Sequence, residues 1–177
     1  MAPSAPLLIA MSGLPGTGKS TLSAGLAERL HGVWLRIDTI EQAIRDSDVL
    51  AGEVGPAGYI VGYGIAATNL RLGHVVVADC VNPLAITRDA WREVARAAGT
   101  RLAEVEVVCS DAREHRRRVE TRSIDVAGLV PPSWDEVMRH HREPWARAPI
   151  IVDTARRSID ACLDALLAAI AAGASAS

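Results

Sequence analysis

The sequence predicts a three-layer α/β domain: a five-stranded parallel sheet with helices on both faces and a small helical lid. Three observations lead there. Short apolar runs alternate with helical segments along the whole 177-residue chain, and such alternation favours parallel strands joined by crossover helices. The first apolar run passes at once into a glycine-rich turn and then a helix. Acids stand directly after two further runs, at Asp38 and Asp79, and ligands gather at such strand ends in open parallel sheets.

The first run, Leu7–Met11, reads as a buried strand. Gly13-Leu14-Pro15-Gly16-Thr17-Gly18-Lys19-Ser20 then fits G-x-x-x-x-G-K-[S/T], a phosphate-binding loop. Leu22, Leu26 and Leu30 recur at helical spacing, so a helix runs from about Lys19 to Leu30. Glycine takes positive φ freely, so Gly13, Gly16 and Gly18 let backbone N–H groups turn inward at a helix N-terminus. Gly13 to Thr21 are therefore the expected nucleotide contacts, with Lys19 on the β- and γ-phosphates and the Ser20 hydroxyl on Mg²⁺. Lys19 is the only lysine in a chain that otherwise uses arginine. Lys19→Ala is expected to remove phosphate binding and leave the fold nearly intact.

Val33–Ile37 reads as the second strand, with Asp38 after it and a helix opening at Thr39–Ile44. A carboxylate facing the phosphates can accept a hydroxyl proton and aim the oxygen in line. Asp38 also suits a helix N-cap, and both roles can hold at once. Asp48–Gly58 is a loop, and Tyr59–Leu72 is a helix despite Gly62 and Gly64. His74–Asp79 is the clearest buried strand, and Asp79 is expected to order Mg²⁺ or to touch the acceptor.

Asn82–Leu84 turns into a helix over Ile86–Ala98, and Arg101–Cys109 is the fourth strand. Asp111 caps a helix running to about Arg122 that carries Arg113, Arg116, Arg117, Arg118 and Arg122. Not all five arginines can face inward. Arg118 and Arg122, four apart, are expected to share a face and close over the phosphates. The lid spans about 112–132. Ser133 opens the next helix with Glu136 at the capping-box position, and that helix stops near Glu143, before Pro144. His140 and His141 are adjacent and point to different sides, so they do not share a metal. Pro149–Val152 is the fifth strand and Ser158 to about Ala172 the last helix, with loose tails at 1–6 and 173–177.

Composition narrows the class. The length suits one domain, and 49% hydrophobic residues supply a core that, with no phenylalanine, must be built from Leu, Ile, Val and Ala. A net charge of −2 makes no global electrostatic case for nucleic acid. Three widely spaced cysteines suit reduced thiols in the cytoplasm, and no run suits a signal peptide or a membrane span. A monomer or homodimer is expected.

With the loop, Asp38, Asp79 and the Arg118/Arg122 pair in place, the chain resembles the small P-loop kinases of the nucleoside-monophosphate-kinase-like group. It looks most like kinases of the AAA-type ATP-binding class, whose relatives include gluconate kinase, chloramphenicol phosphotransferase, zeta toxins and polynucleotide 5′-kinase domains. Arg36-Ile37-Asp38-Thr39-Ile40-Glu41-Gln42-Ala43 is similar to the segment of chloramphenicol phosphotransferase that carries its general base. Arg118-Val119-Glu120-Thr121-Arg122 looks like the lid R-x-x-x-R of the polynucleotide kinase domain. The resemblance implies ATP with Mg²⁺, transfer to an alcohol of a small-molecule acceptor with Asp38 as general base, and a closing lid. The paired D-x-D after strand 2 and the G-G-G of shikimate kinases are absent from the sequence. Two alternatives remain: a polynucleotide 5′-hydroxyl kinase, and a nucleotide-dependent binding or regulatory ATPase.

Overall fold

The computed structural model describes residues 5–49, 52–123 and 125–174. The ends of the two expected tails, 1–4 and 175–177, lie outside the described residues. The elements run β1 (Leu7–Ser12), α1 (Lys19–Arg29), β2 (Val33–Arg36), α2 (Ile37–Asp46), α3 (Ala57–Arg71) and β3 (Val75–Asp79). They continue with α4 (Ala85–Ala97), β4 (Arg101–Val108), α5 (Ala112–Thr121), α6 (Trp134–Arg139), β5 (Ile150–Asp153) and α7 (Ile159–Ala174). The five strands form one parallel sheet in the order β2-β3-β1-β4-β5. Leu7 of β1 pairs with Val75 on one side and Arg101 on the other.

Side chains alternate across a strand, and that rule divides the core in two. Leu7, Ile9 and Met11 face one layer with Val75 and Val77, meeting Leu22 and Leu26 of α1 and Leu163 and Leu166 of α7. Leu8 and Ala10 face the other layer with Val76 and Ala78, meeting Leu70 of α3 and Trp91 of α4. The continuous apolar runs of β1 and β3 are thus buried on both faces, as a covered parallel sheet requires. Trp91, fully buried, supplies the large ring that a core without phenylalanine otherwise lacks. Gly62, which weakens the helix reading of α3, has a packing reason: a Cβ there would lie 2.6 Å from Cδ1 of Ile37. Its absence lets α3 close on the β2–α2 junction.

The caps follow the expectations from sequence. The Asp111 carboxylate accepts from the backbone N–H groups of Arg113 and Glu114 at 3.1 and 3.2 Å, and Ser133 with Glu136 forms a complete capping box. Two boundaries differ. β2 ends at Arg36 and α2 begins at Ile37 without a connecting loop, so the cap position is Arg36 and Asp38 lies inside the first helical turn. The capping role expected of Asp38 is thereby excluded. α6 ends at Arg139 rather than near Glu143. There the chain is drawn to α4 instead: Arg88 donates to the carbonyls of Glu143 and Pro144 at 3.1 and 2.9 Å, and Glu143 N–H donates to Pro83 O at 3.0 Å. Among the described residues no helix is long and apolar enough to cross a membrane.

Candidate active site

The turn between β1 and α1 is built on glycine conformations. Gly13, Gly16 and Gly18 have φ of 144°, 82° and 91°. A Cβ on Gly13 would run into the Val107 carbonyl, and one on Gly16 would lie 2.5 Å from Cγ2 of Val119. The loop therefore sits hard against β4 and α5. Its carbonyls are pinned from the same side. His115 Nε2 lies 2.9 Å from Pro15 O, and since a carbonyl only accepts, that ring nitrogen carries the hydrogen. Trp134 packs edge-on against the His115 ring at 5.1 Å. Thr154, directly after β5, reaches Thr17 O with its hydroxyl at 2.8 Å.

Lys19, the first residue of α1, is 7% exposed and donates to Asp79 Oδ1 at 3.0 Å. Asp79 is 2% exposed. Its second oxygen accepts from Trp34 Nε1 at 3.3 Å and lies 3.9 Å from Arg36 Nε. Burial alone would pull the Lys19 ammonium down, but the Asp79 and Asp38 carboxylates outweigh it and hold its pKa above the ordinary value. Asp79 thus stands as the counter-ion of Lys19, behind the loop, while Ser20 lies on the open wall. Among the described residues, no group of three His, Cys, Asp or Glu side chains could hold a metal unaided.

A cavity of about 740 Å³ crosses the carboxyl edge of the sheet. One end holds Trp34, Arg36 and Asp38 of the β2–α2 junction. The middle is the loop from Leu14 to Thr21, and the other end holds Thr154, Arg157 and Ile159 beyond β5. From the stretch after α5, Ser123 and residues of 125–132 line it as well, among them Asp125, Leu129 and Val130. This segment reaches across to α2: Arg36 Nη1 donates to both oxygens of Asp125 at 2.8 and 2.7 Å. A Cβ on Gly128 would lie 2.8 Å from Nε2 of Gln42.

The two arginines expected to act as a pair are placed differently. Arg118 is committed: its guanidinium donates to Thr154 Oγ1 at 2.8 Å, Thr154 O at 3.1 Å and Glu114 Oε1 at 2.6 Å. Arg122 is the first residue past α5, with extended backbone (φ −65°, ψ 139°), so helical i,i+4 spacing does not put it on the face of Arg118. It lines the cavity half-buried. Burial pulls its pKa down and the Arg36 charge adds to that, against the Asp38 carboxylate. Arg113, Arg116 and Arg117 are exposed.

The structure thus gathers Gly16, Gly18, Lys19, Ser20, Thr21, Asp38, Arg118 and Arg122 around one cavity, with Leu14 and Pro15 on its wall. Gly13 and Thr17 support the loop from behind. Sequence reasoning did not find Thr154, His115 or Asp125, and gave Arg36 no role. Thr154 carried a usable signal, because it stands directly after a strand just as Asp38 and Asp79 do.

The AAA domain family matches residues 8–144. An uncharacterized protein of Mycobacterium tuberculosis H37Rv is 34% identical over 84 residues, which is 41% of this chain; the chain spans only 17% of that protein's length. A Chloroflexus aurantiacus protein superposes with a TM-score of 0.73 at 22% identity, covering 95% of this chain and 97% of its own. The APS kinase CysC of Mycobacterium tuberculosis, solved with AMPPNP and APS, superposes with a TM-score of 0.69 at 19% identity, covering 93% of this chain and 97% of its own. At these identities the structural likenesses speak for the fold alone, and the family match covers most of the chain: it belongs to the AAA domain family.

Proposed function

We propose that this protein moves the γ-phosphoryl group of ATP to a hydroxyl of a small-molecule acceptor, with Asp38 as general base. The observation that carries this is the position of Asp38. It lies on the same cavity wall as the loop, and its charge bears on both Lys19 and Arg122. A carboxylate there takes the hydroxyl proton as the new O–P bond forms and the bond from the γ-phosphorus to the β-phosphate oxygen breaks.

The residues present suit MgATP. The positive-φ glycines let the loop lie close against β4 and α5 while Leu14, Pro15, Gly16 and Gly18 to Thr21 line the cavity, and Lys19 and Arg118 bring fixed positive charge to that wall. ATP would supply the phosphoryl group, and Mg²⁺ would neutralise charge on it. Ser20 is the residue to hold the metal, with Asp79 behind it as the second expected metal residue. Arg122, Ser123 and residues of 125–132 would close the site from above.

A screen with γ-labelled ATP against hydroxyl metabolites, antibiotics and a 5′-hydroxyl oligonucleotide tests the proposal. Label on a small hydroxyl compound is the expected result. Label on the oligonucleotide alone would replace the small-molecule acceptor with a nucleic acid end. Release of phosphate to water alone, dependent on a protein partner, would point to a regulatory ATPase.

A further inference from the structure

We propose that the acceptor carries an oxyanion group (carboxylate, sulfate or phosphate) and that Arg36 and Arg122 bind it at the β2 end of the cavity. The word acceptor rests on the phosphotransfer reading above; the oxyanion site rests on the residues themselves.

Arg36 and Arg122 both line the cavity, and the Nε atom of each is buried without a hydrogen-bond partner. A buried N–H left unmet is costly and rare: Arg36 Nε has the Asp79 carboxylate 3.9 Å away, beyond hydrogen-bond reach, and Arg122 Nε has no hydrogen-bond partner, so these two cavity-lining side chains have room for an acceptor atom from outside the chain. Among the described residues, the Arg122 guanidinium makes no hydrogen bond or ion pair with any side chain. The Arg36 charge also bears on Arg122. Two neighbouring guanidiniums repel, and an oxyanion between them relieves that repulsion through charge-assisted bonds.

Arg36 already shows the chemistry. It holds the Asp125 carboxylate by Nη1, and Asp125 belongs to the stretch after α5 with its side chain 69% exposed. An ion pair with so exposed a partner contributes little, so an incoming carboxylate or sulfate exchanges with it at small cost. Asp125 thus occupies the place of the group the site is built to take.

This anion is distinct from the triphosphate. The loop lies at β1, while Arg36 ends β2, at the edge of the sheet beyond β3. Thr154, Arg157 and Ile159 lie at the opposite end of the cavity, beyond β5, and leave that end for the rest of the nucleotide. Asp38 follows Arg36 by two residues across the β2–α2 junction. An acceptor anchored on Arg36 and Arg122 therefore lies beside Asp38.

The test uses the full chain saturated with MgADP, so that the loop does not itself take the probe. Sodium sulfate, inorganic phosphate and D-glycerate are titrated in turn while arginine Nε–H signals are followed by NMR. Saturable shifts at Arg36 and Arg122, but not at Arg118, are expected, and the strongest of the three probes identifies the anionic group. Arg122→Ala should weaken binding about tenfold, and Asp125→Asn should tighten it about threefold. Misfolding cannot produce that gain, and melting curves check that each variant is folded. Absence of shifts at tens of millimolar, unchanged affinity in Arg122→Ala, or no gain in Asp125→Asn overturns the proposal. Saturable binding without labelled product from any hydroxyl compound defeats the phosphotransfer reading and leaves the oxyanion site standing. Labelled product from neutral compounds only, with no anion binding, does the reverse.

Discussion

Arg118 and Arg122 come from the same short stretch of chain and line the same cavity, yet they live in opposite surroundings. Arg118 spends its guanidinium on Thr154 and Glu114, and Thr154 in turn holds the loop carbonyl of Thr17. Arg122 and Arg36, at the other end, keep buried Nε–H groups without a hydrogen bond; Arg36 has the buried Asp79 carboxylate 3.9 Å from its Nε and is otherwise held by the exposed carboxylate of Asp125. The difference teaches where the molecule has settled its own interactions and where it has left them to a ligand. The β5 end is a finished scaffold around the loop. The β2 end holds bonding capacity that the chain alone does not use. Asp38 belongs to that second end.

The strongest way to disturb both ends is at Lys19, which stands between them. Lys19→Ala should weaken ATP binding at least about a hundredfold, since a charge-assisted phosphate contact is lost. It should also cost about 3 kcal/mol of stability, because Asp79 would stay buried without its nearest cation. Calorimetric titration and urea unfolding measure the two effects, and adding Asp79→Asn should restore much of the stability but none of the binding. The sign with pH follows from the same pair. The Lys19 pKa is raised above 10.5, so the pair's contribution is full below pH 10.5 and is lost as pH climbs through the raised value.

The comparison itself is broken or sharpened by two alanines. Arg118→Ala should destabilise by about 2 kcal/mol, with three charge-assisted bonds gone and the Glu114 carboxylate deprived of its arginine. Arg122→Ala should stay within about 0.5 kcal/mol in the same urea titration. Equal losses would show that the two ends are built alike. A smaller effect is expected for Thr154→Val, about 1 kcal/mol, since the hydroxyl to the loop is removed while the packing volume is kept. The smallest is chemical. Burial pushes the Cys80 thiol up to about 12, so iodoacetamide at pH 8 should spare it while half-buried Cys109 is labelled first.

Much of this was legible in the sequence because the signals are local. Strand, glycine turn and helix lie within residues 7–30, and the need for positive φ at Gly16 and Gly18 can be read from residue type alone. Asp38 and Asp79 were legible as acids following apolar runs. What was not legible depends on distant partners. Thr17 meets Thr154 across 137 residues, His115 meets Pro15 across 100, and Arg36 meets Asp125 across 89. No periodicity records such meetings. The pairing of Arg118 with Arg122 misled for a local reason: the helix ends between them, and spacing rules end with it.

The most direct test lies at Asp38, in wild type and Asp38→Asn assayed side by side with the acceptor that the labelled-ATP screen returns. Asp38→Asn should lose phosphoryl transfer by at least about a hundredfold while MgATP affinity stays within about twofold of wild type. Full transfer by Asp38→Asn would contradict the assignment of the general base, and with it the placing of the reaction at the β2 end of the cavity.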